Sequence, residues 1–392
     1  MRILYCALDQ TVPGTTGGSI HVAAVAEGLA RLGHDVHAAA QVASPPNGSV
    51  RWHHLEPPLG LPYLRWARAR RITRLARDLH AEVVMERYYN FGGEGMVAAH
   101  RTDALAVLEV NAPVVDHPGS TKRLLDRALL AEPMRRWREW QCRAADLIVT
   151  PSAAIVPDFV GKERILEMEW GADTDRFRPD ATGPIPFTRR PGDTVAVFAG
   201  AFRRWHGAIN LVRAIARLRA RGRHDIAAVL IGDGPELTAV RDAARNLTGV
   251  SFTGAQPHDT IPACLAAADI GVAPFDLAAH PPLSIAFYWS PLKVFEYMAA
   301  GLPVVVPTIP RLMQLVTHER EGLLYDVARP DGLADALERL SDPAVRRPLG
   351  AAARQRAVAE YSWLRHCQRL ERAIIARRTP VGIPTHANPD RH

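Results

Sequence analysis

Residues 290–307 read Ser-Pro-Leu-Lys-Val-Phe-Glu-Tyr-Met-Ala-Ala-Gly-Leu-Pro-Val-Val-Val-Pro, and this stretch decides the local fold. Ser290 is predicted to cap the free N–H groups of a helix whose first turn contains Pro291, a residue that needs no N–H there. Gly301 is predicted to end that helix, and the β-branched residues 304–306 follow as a short buried strand. A helix that leads directly into such a strand is typical of parallel α/β sheets.

The first turn of this helix predicts an anion site. A helix N-terminus attracts anions through its free N–H groups and its dipole, and Lys293 adds a full positive charge. Phosphate is the predicted anion. Glu296 lies about one turn further on, where it would repel that anion, and it is predicted to accept hydrogen bonds from sugar hydroxyls instead. The alternative is an ordinary capped helix with a solvated Lys293 and Glu296.

The amino-terminal half begins with a strand, a glycine-rich loop, a helix and a second strand. Residues 2–8 are apolar, Gly17 and Gly18 end the loop, and Gly33 closes the helix that follows. This order predicts a doubly wound unit whose loop backbone can approach a ligand. A simple turn at the glycine pair is an equal alternative. The chain has no G-x-G-x-x-G motif after this strand, which counts against a dinucleotide oxidoreductase.

Polar residues follow two further predicted strands of this half. Glu86 and Arg87 end one strand, Glu109 and Asn111 end the next, and His117 follows a few residues later. In open parallel sheets the carboxyl ends of the strands form the edge where ligands bind. These residues are therefore candidates for substrate contact, with solvated strand ends as the alternative.

A linker rich in Pro, Gly, Thr and Arg at residues 180–193 divides the chain. Strands and helices alternate again after it, which predicts a second doubly wound domain. The loop after its first strand contains Arg203 and His206, and Gly232 follows its second strand. Arg203 is suited to bind a diphosphate, whereas His206 would be charged only part of the time near neutral pH.

Several of these motifs resemble those of the retaining nucleotide-sugar glycosyltransferases of family 4. The family signature has Glu, seven residues, a second Glu, and then Ala-Met-Ala-x-Gly-x-Pro-Val-Val, and Glu296 matches the second Glu. Three positions depart from the family pattern. Tyr288 replaces the first Glu, Asn111 stands where many members have His, and Trp170 replaces the Asn of Asn-Gly-Val-Asp-x-x-x-Phe-x-Pro.

The resemblance implies an α/β protein of GT-B architecture, with two doubly wound Rossmann-like domains facing each other across a cleft. It places an acceptor-side domain at residues 1–182, a nucleotide-sugar domain at 186–361, and a helix at about 362–378 that packs back on the first domain. Residues 379–392 are expected to form a disordered tail. The implied reaction is retaining transfer of a sugar from a nucleotide-diphospho-sugar to an acceptor hydroxyl, without a metal or other cofactor.

The site residues are assigned to three groups on these grounds. The predicted catalytic residues are Arg203, Lys293 and Asn111. The predicted donor-binding residues are Gly17, Gly18, Arg203, His206, Gly232, Gly254, Ala255, Leu292, Lys293, Val294 and Glu296. The predicted acceptor-side residues are Glu86, Arg87, Glu109 and His117.

Two other functions remain open at this point. A nucleotide-sugar epimerase or phosphorylase of the same fold would turn over without an acceptor alcohol. A non-catalytic nucleotide-sugar-binding subunit would bind nucleotide without turnover, having kept Glu296 but lost the acidic and basic counterparts of Tyr288 and Asn111. The sequence does not identify the base, the sugar or the acceptor.

Composition sets broad limits on location and partners. The chain has 392 residues, a formal net charge of +7 and four scattered cysteines without metal-ligand spacing. It has neither a recognisable signal peptide nor an apolar run long enough to span a membrane, so a cytoplasmic protein is expected. The basic residues 63–80 favour, at most, peripheral contact with the inner membrane face. No nucleic-acid partner is predicted.

Overall fold

The computed structural model describes residues 1–44, 48–56, 68–114, 132–279 and 287–378. Within these ranges the strands form two separate sheets, and every strand pair is parallel. This confirms the predicted α/β class with two doubly wound halves. The strands of the first sheet are β1 (Arg2–Val12), β2 (Asp35–Val42), β3 (Arg51–His54), β4 (Val83–Arg87), β5 (Leu105–Glu109), β6 (Leu147–Thr150) and β7 (Ile165–Glu167).

The first sheet has the strand order β3-β2-β1-β4-β5-β6-β7, so successive strands are added on one side of β1 up to β3 and on its other side from β4 onward. Such a switch point opens a crevice at the carboxyl ends of the strands. Thr16 precedes the first helix, and its Oγ1 accepts a hydrogen bond from the Ser19 N–H at 3.2 Å. The helices of this half are α1 (Gly17–Arg31), α2 (Ala69–Asp78), α3 (Glu94–Thr102) and α4 (Glu132–Ala144).

The second sheet has the order β10-β9-β8-β11-β12-β13, with its own switch between β8 and β11. Its strands are β8 (Thr194–Ala199), β9 (Ile226–Ile231), β10 (Val250–Gly254), β11 (Ile270–Val272), β12 (Val304–Pro307) and β13 (Gly322–Tyr325). Its helices are α5 (Ala208–Ala220), α6 (Leu237–Ala244), α7 (Ile261–Ala266), α8 (Leu292–Ala299), α9 (Pro310–Leu315), α10 (Gly332–Leu340) and α11 (Pro343–Glu360).

The last helix returns to the first half of the chain. Helix α12 (Trp363–Arg378) packs along α1, and its buried Cys367 places Sγ 3.7 Å from the Val25 carbonyl oxygen. The chain passes from the first half to the second after Ala172 and returns after Tyr361. The Ala172 N–H donates to the Tyr361 carbonyl at 2.8 Å. This bond ties the end of the first half to a residue between α11 and α12.

Some sequence predictions lie outside the described residues. These are the segment 63–67 of the predicted basic helix, of which α2 is the described part, His117, and the tail 379–392. No described helix is both long enough and apolar enough to cross a membrane.

Candidate active site

The loops after β8 and β9 meet tightly at the carboxyl edge of the second sheet. Gly200 has a φ of +146° and Gly232 a φ of +131°, which residues with a side chain rarely adopt. A Cβ atom at Gly232 would overlap the Gly200 carbonyl oxygen, and one at Gly200 would lie 2.9 Å from Lys293 Nζ. Gly200 therefore leaves room for the lysine ammonium, and Gly232 allows the two loops to approach each other.

Lys293 is buried at this edge, with 9% of its surface exposed. Its Nζ lies 4.2 Å from the ring centroid of Phe198 and 5.3 Å from that of Phe275. No described residue hydrogen-bonds this ammonium. Burial lowers its pKa to about 7, against a smaller opposing effect of Glu296. The ring faces attract the ammonium but offer it no oxygen or nitrogen acceptor, so it keeps strong donor capacity for an anion.

His206 lies beside Lys293 and does not carry the charge that the sequence allowed it. Burial, with the nearby Lys293, lowers the pKa of His206 to about 2, so the imidazole is neutral at pH 7. Its Nδ1 donates a hydrogen bond to the Ala201 carbonyl at 2.5 Å. The expectation of partial charge at His206 was therefore wrong, because it took no account of burial. The adjacent Arg203 is exposed and supplies the second cation of this edge.

Glu296 lies further along α8, with 7% of its surface exposed. His258 Nε2, on the loop after β10, is 3.0 Å from Glu296 Oε1. Gly254 and Ala255 lie at the end of the same strand, and the space beside Gly254 is open within 4 Å. A carboxylate with one oxygen engaged keeps acceptor capacity for the hydroxyl groups of a ligand.

Two predictions about the start of α8 were wrong. Ser290 does not cap the helix, because its hydroxyl donates to Glu169 Oε2 at 2.6 Å and accepts from the Trp170 N–H at 2.7 Å. Val294 is fully buried, and its N–H already donates to the Pro291 carbonyl at 2.8 Å, so it cannot contact a donor as predicted. The backbone N–H groups left for an anion are those of Leu292 and Lys293.

Tyr288, the departure from the family's first Glu, is buried near this edge. Burial raises its pKa to about 12, so the phenol keeps its proton at neutral pH. Its ring lies 5.1 Å from that of Trp289, with the two rings at 61°. A neutral hydroxyl can form hydrogen bonds there, but it cannot supply the negative charge of a carboxylate.

A buried polar network occupies the carboxyl edge of the first sheet, centred on Glu109. Tyr5 Oη donates to one carboxylate oxygen, and His21 Nε2 contacts the other. Asn111 Nδ2 donates to Oε1 at 2.6 Å, and Arg87 Nη1 lies 3.8 Å from the same oxygen. Burial acts to raise the pKa of Glu109, but His21, Arg87 and Tyr5 outweigh it and hold the pKa well below its usual range. Glu109 is therefore ionised.

The glycine pair of the first loop faces this network. A Cβ atom at Gly18 would overlap Gln10 and lie 3.3 Å from Arg87 Nη2, and one at Gly17 would lie 3.6 Å from the Trp170 ring. Arg87 is also 3.7 Å from Asp9 Oδ2. The arginine is thus held between two carboxylates next to the loop, which places its guanidinium at the edge where a ligand would enter.

The amide of Asn111 has a single possible orientation. Trp170 Nε1 can only donate, and it lies 3.1 Å from Asn111 Oδ1, whereas the ionised Glu109 can only accept from Nδ2. One Nδ2 hydrogen therefore remains available to a substrate hydroxyl. Trp170 also donates its backbone N–H to Ser290, directly before α8. The two sheet edges are linked through this one tryptophan.

Two predicted acceptor-side residues are not placed to meet a substrate. Glu86 is 0% exposed, and its oxygens accept from the Gly93 N–H at 2.7 Å and the Met96 N–H at 2.9 Å. Burial and the neighbouring Glu94 raise its pKa to about 8. Glu86 therefore fixes the start of α3, and its assignment to the acceptor was wrong. Glu109 is also buried, so it acts through Arg87 and Asn111 instead of by direct contact.

Sequence reasoning missed His21. It lies on α1, with its ring 4.4 Å from that of Trp170 and its Nε2 against Glu109. Burial lowers the pKa of His21, while Glu109 opposes that shift. A histidine three positions after the glycine pair, in the first turns of the helix, was the only signal of its position. Its partners lie on other strands and could not be read from that segment.

The Trp170–Asn111 hydrogen bond can be measured with a double-mutant cycle. Trp170→Phe keeps the ring on His21 but removes the indole N–H, so we expect a loss of about 0.5–1.5 kcal/mol of unfolding free energy. Because Asn111→Ala removes the same bond, the two losses should be less than additive in urea unfolding. Trp170→Phe combined with Asn210→Ala, on α5, should be additive. If the losses of unfolding free energy were additive for the Trp170–Asn111 pair as well as for the control pair, the result would contradict the Trp170–Asn111 hydrogen bond.

Two family models match the chain. The model described as "Glycosyltransferase Family 4" matches residues 15–166, and the model described as "Glycosyl transferases group 1" matches residues 193–342. The two matches fall on the two sheets in turn and contain most of the residues described above. Together they extend over both halves of the chain.

Curated relatives match part of the chain. It is 32% identical over 207 residues to the GDP-mannose-dependent alpha-(1-6)-phosphatidylinositol monomannoside mannosyltransferase of Mycobacterium tuberculosis, covering 49% of this chain and 51% of that protein. It is 26% identical over 278 residues to the glycogen synthase of the same organism, covering 67% of this chain and 63% of that protein. The match thus spans about half to two thirds of the length of these relatives.

Solved structures share the fold over nearly the whole chain. Sucrose-phosphate synthase from Thermosynechococcus elongatus has a TM-score of 0.69 at 18% identity, covering 96% of this chain and 100% of that chain. Anabaena HepE in complex with UDP and glucose has a TM-score of 0.68 at 15% identity, with the same coverage. At these identities the likeness establishes the architecture alone.

Proposed function

The chain belongs to glycosyltransferase family 4 and has the GT-B architecture, and from this premise we propose that it transfers a sugar from a nucleotide-diphospho-sugar to an acceptor hydroxyl with retention of configuration. The observation that carries the proposal is the buried ammonium of Lys293, which lies at the carboxyl ends of the second sheet without a hydrogen-bond acceptor among the described residues. A diphosphate supplies the acceptors that this ammonium lacks.

The donor diphosphate is proposed to bind between Lys293, Arg203 and the N–H groups at the start of α8. As the bond from the anomeric carbon to the leaving oxygen breaks, its electron pair passes to the diphosphate, and these donors stabilise the growing charge. Since the donors are the protein's own, the proposal includes no metal or other cofactor. Glu296 is proposed to accept hydrogen bonds from the ribose hydroxyls.

The acceptor is proposed to enter from the first sheet, beside Arg87 and the free Nδ2 hydrogen of Asn111. Its oxygen forms the new bond on the face that the diphosphate leaves, and its proton passes to the leaving phosphate oxygen. Asn111 orients the acceptor and takes no proton, because an amide does not titrate. No observation on the described residues favours an epimerase, a phosphorylase or a non-catalytic subunit.

Glu296→Ala tests the donor site. We expect nucleotide affinity to fall about 10- to 100-fold, since hydrogen bonds to a charged group contribute about 1.5–3 kcal/mol. The measurement is the thermal shift given by GDP-mannose, UDP-glucose and ADP-glucose, because a bound ligand raises apparent stability by mass action. GDP-mannose is included because the mannosyltransferase relative is described as GDP-mannose-dependent.

Glu338→Ala, at a half-exposed position of α10, is the matched control and should bind as the wild type does. A folded Glu296→Ala protein with unchanged nucleotide affinity would show that the donor site is wrongly assigned. For the active donor, NMR of the product's anomeric carbon tests retention, and an inverted product would overturn that part of the proposal.

We also propose that a basic face of the first half holds the protein on the inner surface of the membrane. Arg70, Arg71 and Arg74 are exposed on α2, and α2 packs against α3, whose exposed Arg101 extends the face. Basic residues near an anionic surface contribute about 1 kcal/mol each to binding. The mannosyltransferase relative is named for a phosphatidylinositol-based substrate, which supports a lipid acceptor here.

The triple change Arg70→Gln, Arg71→Gln and Arg74→Gln should lower binding to phosphatidylglycerol vesicles by about 100-fold at low salt. Co-sedimentation measures the effect, with phosphatidylcholine vesicles as the uncharged reference. The same change at Arg213, Arg217 and Arg241, on the helices of the second sheet, should have little effect, and an equal loss there would contradict a specific membrane face. The three control positions are exposed.

A further inference from the structure

A cavity of about 520 Å³ lies at the junction of the two halves, apart from the proposed donor and acceptor sites. The last residue of β7 and the two residues after it form one wall, α9 forms the second, and the end of α11 with α12 forms the third. None of the residues assigned above to donor or acceptor binding lines it. Its lining residues include Glu167, Glu169, Arg311, Gln314, Glu360, Arg365, Arg369 and Arg372.

Three arginines of α12 line one side of this cavity. Arg365, Arg369 and Arg372 are spaced at i, i+4 and i+7, so they lie on the same face of the helix. Within the described part of the chain, no carboxylate lies within salt-bridge distance of these guanidinium groups, and each makes a single hydrogen bond to a neutral oxygen. Like charges in this arrangement destabilise a helix unless an anion binds between them.

The carboxylates that line the cavity are already paired with other cations. Arg311 contacts both Glu169 and Glu167, the latter at 3.3 Å. Glu360 accepts from Arg356 Nε at 3.2 Å. The acidic side chains therefore do not neutralise the arginines of α12, and the cavity keeps an excess of positive charge.

We propose that this cavity is a second anion site, which binds a small phosphorylated molecule. Guanidinium groups bind phosphate through paired N–H donors, and three that lack carboxylate partners offer more donors than a single phosphate needs. The volume is in the range of small-ligand sites. Because α12 packs on α1 of the first half and α9 of the second half forms a facing wall, a bound anion lies between the two halves and stabilises their present arrangement.

The test uses pyrophosphate as the probe and the full-length Lys293→Met variant, in which the proposed donor site no longer competes. Isothermal titration calorimetry should still detect one pyrophosphate site in this variant. Adding Arg369→Gln and Arg372→Gln should weaken that site at least tenfold. Adding Arg213→Gln and Arg241→Gln, which remove the same charge from exposed positions elsewhere, should leave it unchanged.

Three results would overturn the inference. They are absence of pyrophosphate binding in the Lys293→Met variant, binding that survives the α12 changes, and an equal loss from the control pair, which would indicate non-specific attraction. Because the cavity does not contain the donor-site residues, failure of the glycosyltransferase proposal would leave this test unaffected.

Discussion

Lys293→Met is expected to weaken nucleotide-diphosphate binding strongly and, at the same time, to stabilise the ligand-free protein. Removing the ammonium should weaken donor binding by at least about 100-fold, since a buried charged contact contributes about 3 kcal/mol. The opposite effect on stability follows from burial, which lowers the pKa of Lys293 to about 7. A residue whose replacement weakens ligand binding and yet stabilises the free protein is characteristic of a functional position.

The pH dependence of the stabilisation has a definite sign. The unfolded lysine titrates near pH 10.4 and the folded one near pH 7, so the folded state is penalised wherever the unfolded chain holds the extra proton. The penalty is largest below pH 7 and disappears as the pH rises to about 10.4. We therefore expect Lys293→Met to gain about 2–4 kcal/mol at pH 7, and less at pH 9.

Urea unfolding at pH 6, 7, 8 and 9 measures this gain, and calorimetry measures the loss of donor binding. In the wild type, donor affinity should fall by up to about tenfold per pH unit above pH 7, because binding then requires uptake of a proton by Lys293. Equal affinity at pH 7 and pH 9 would contradict direct contact between Lys293 and the diphosphate. Arg213→Gln should change neither quantity.

Glu109→Ala is expected to cost about 3–5 kcal/mol of unfolding free energy, because it leaves Arg87 and its other partners buried without their carboxylate. Glu109→Gln keeps the shape of the side chain but removes its charge, so its cost should be smaller, about 1–3 kcal/mol. The exposed Glu319→Gln, whose carboxylate pairs with Arg339, should cost less than about 1 kcal/mol.

The stabilisation by Glu109 should also depend on pH. It fades as the pH falls, whereas the penalty at Lys293 fades as the pH rises. The native pKa of Glu109 lies well below its usual range, so its stabilisation is fully present above the unfolded pKa of about 4.3. It is lost progressively as the pH falls below that value. The stability difference between the wild type and Glu109→Gln should therefore shrink between pH 5 and pH 3. A constant difference, or one no larger than that of Glu319→Gln, would contradict the central position of Glu109.

Local pattern was sufficient for the elements and for part of the site. Alternating apolar runs and helix signals predicted two parallel sheets, and the edge rule placed polar residues at the carboxyl ends of their strands. The start of a helix near Lys293 and its end near Gly301 were predicted from the preferences of a few neighbouring residues. These properties depend on backbone geometry within one or two turns, so they can be read from one segment.

The partners of each polar side chain were decided by tertiary structure. Ser290 had the right residue type for a cap, but it bonds to Trp170, 120 residues away. Glu109 is held by Tyr5, 104 residues away, and by His21, which the sequence did not indicate. Glu86 lies near the carboxyl end of its strand, where ligand contacts were predicted. Its side chain is instead buried and accepts hydrogen bonds from the backbone at the start of α3.

The sequence by itself determined the α/β class, the strand edges and the candidate cations, because propensity and periodicity are local. Only the tertiary structure decided which groups are buried, charged or free, because burial and hydrogen bonding depend on residues from distant strands. Lys293 shows both contributions. Its position at the start of a helix follows from eighteen consecutive residues, whereas its lowered pKa and its lack of a hydrogen-bond acceptor follow from the packing of Gly200, Phe198 and Phe275 around it.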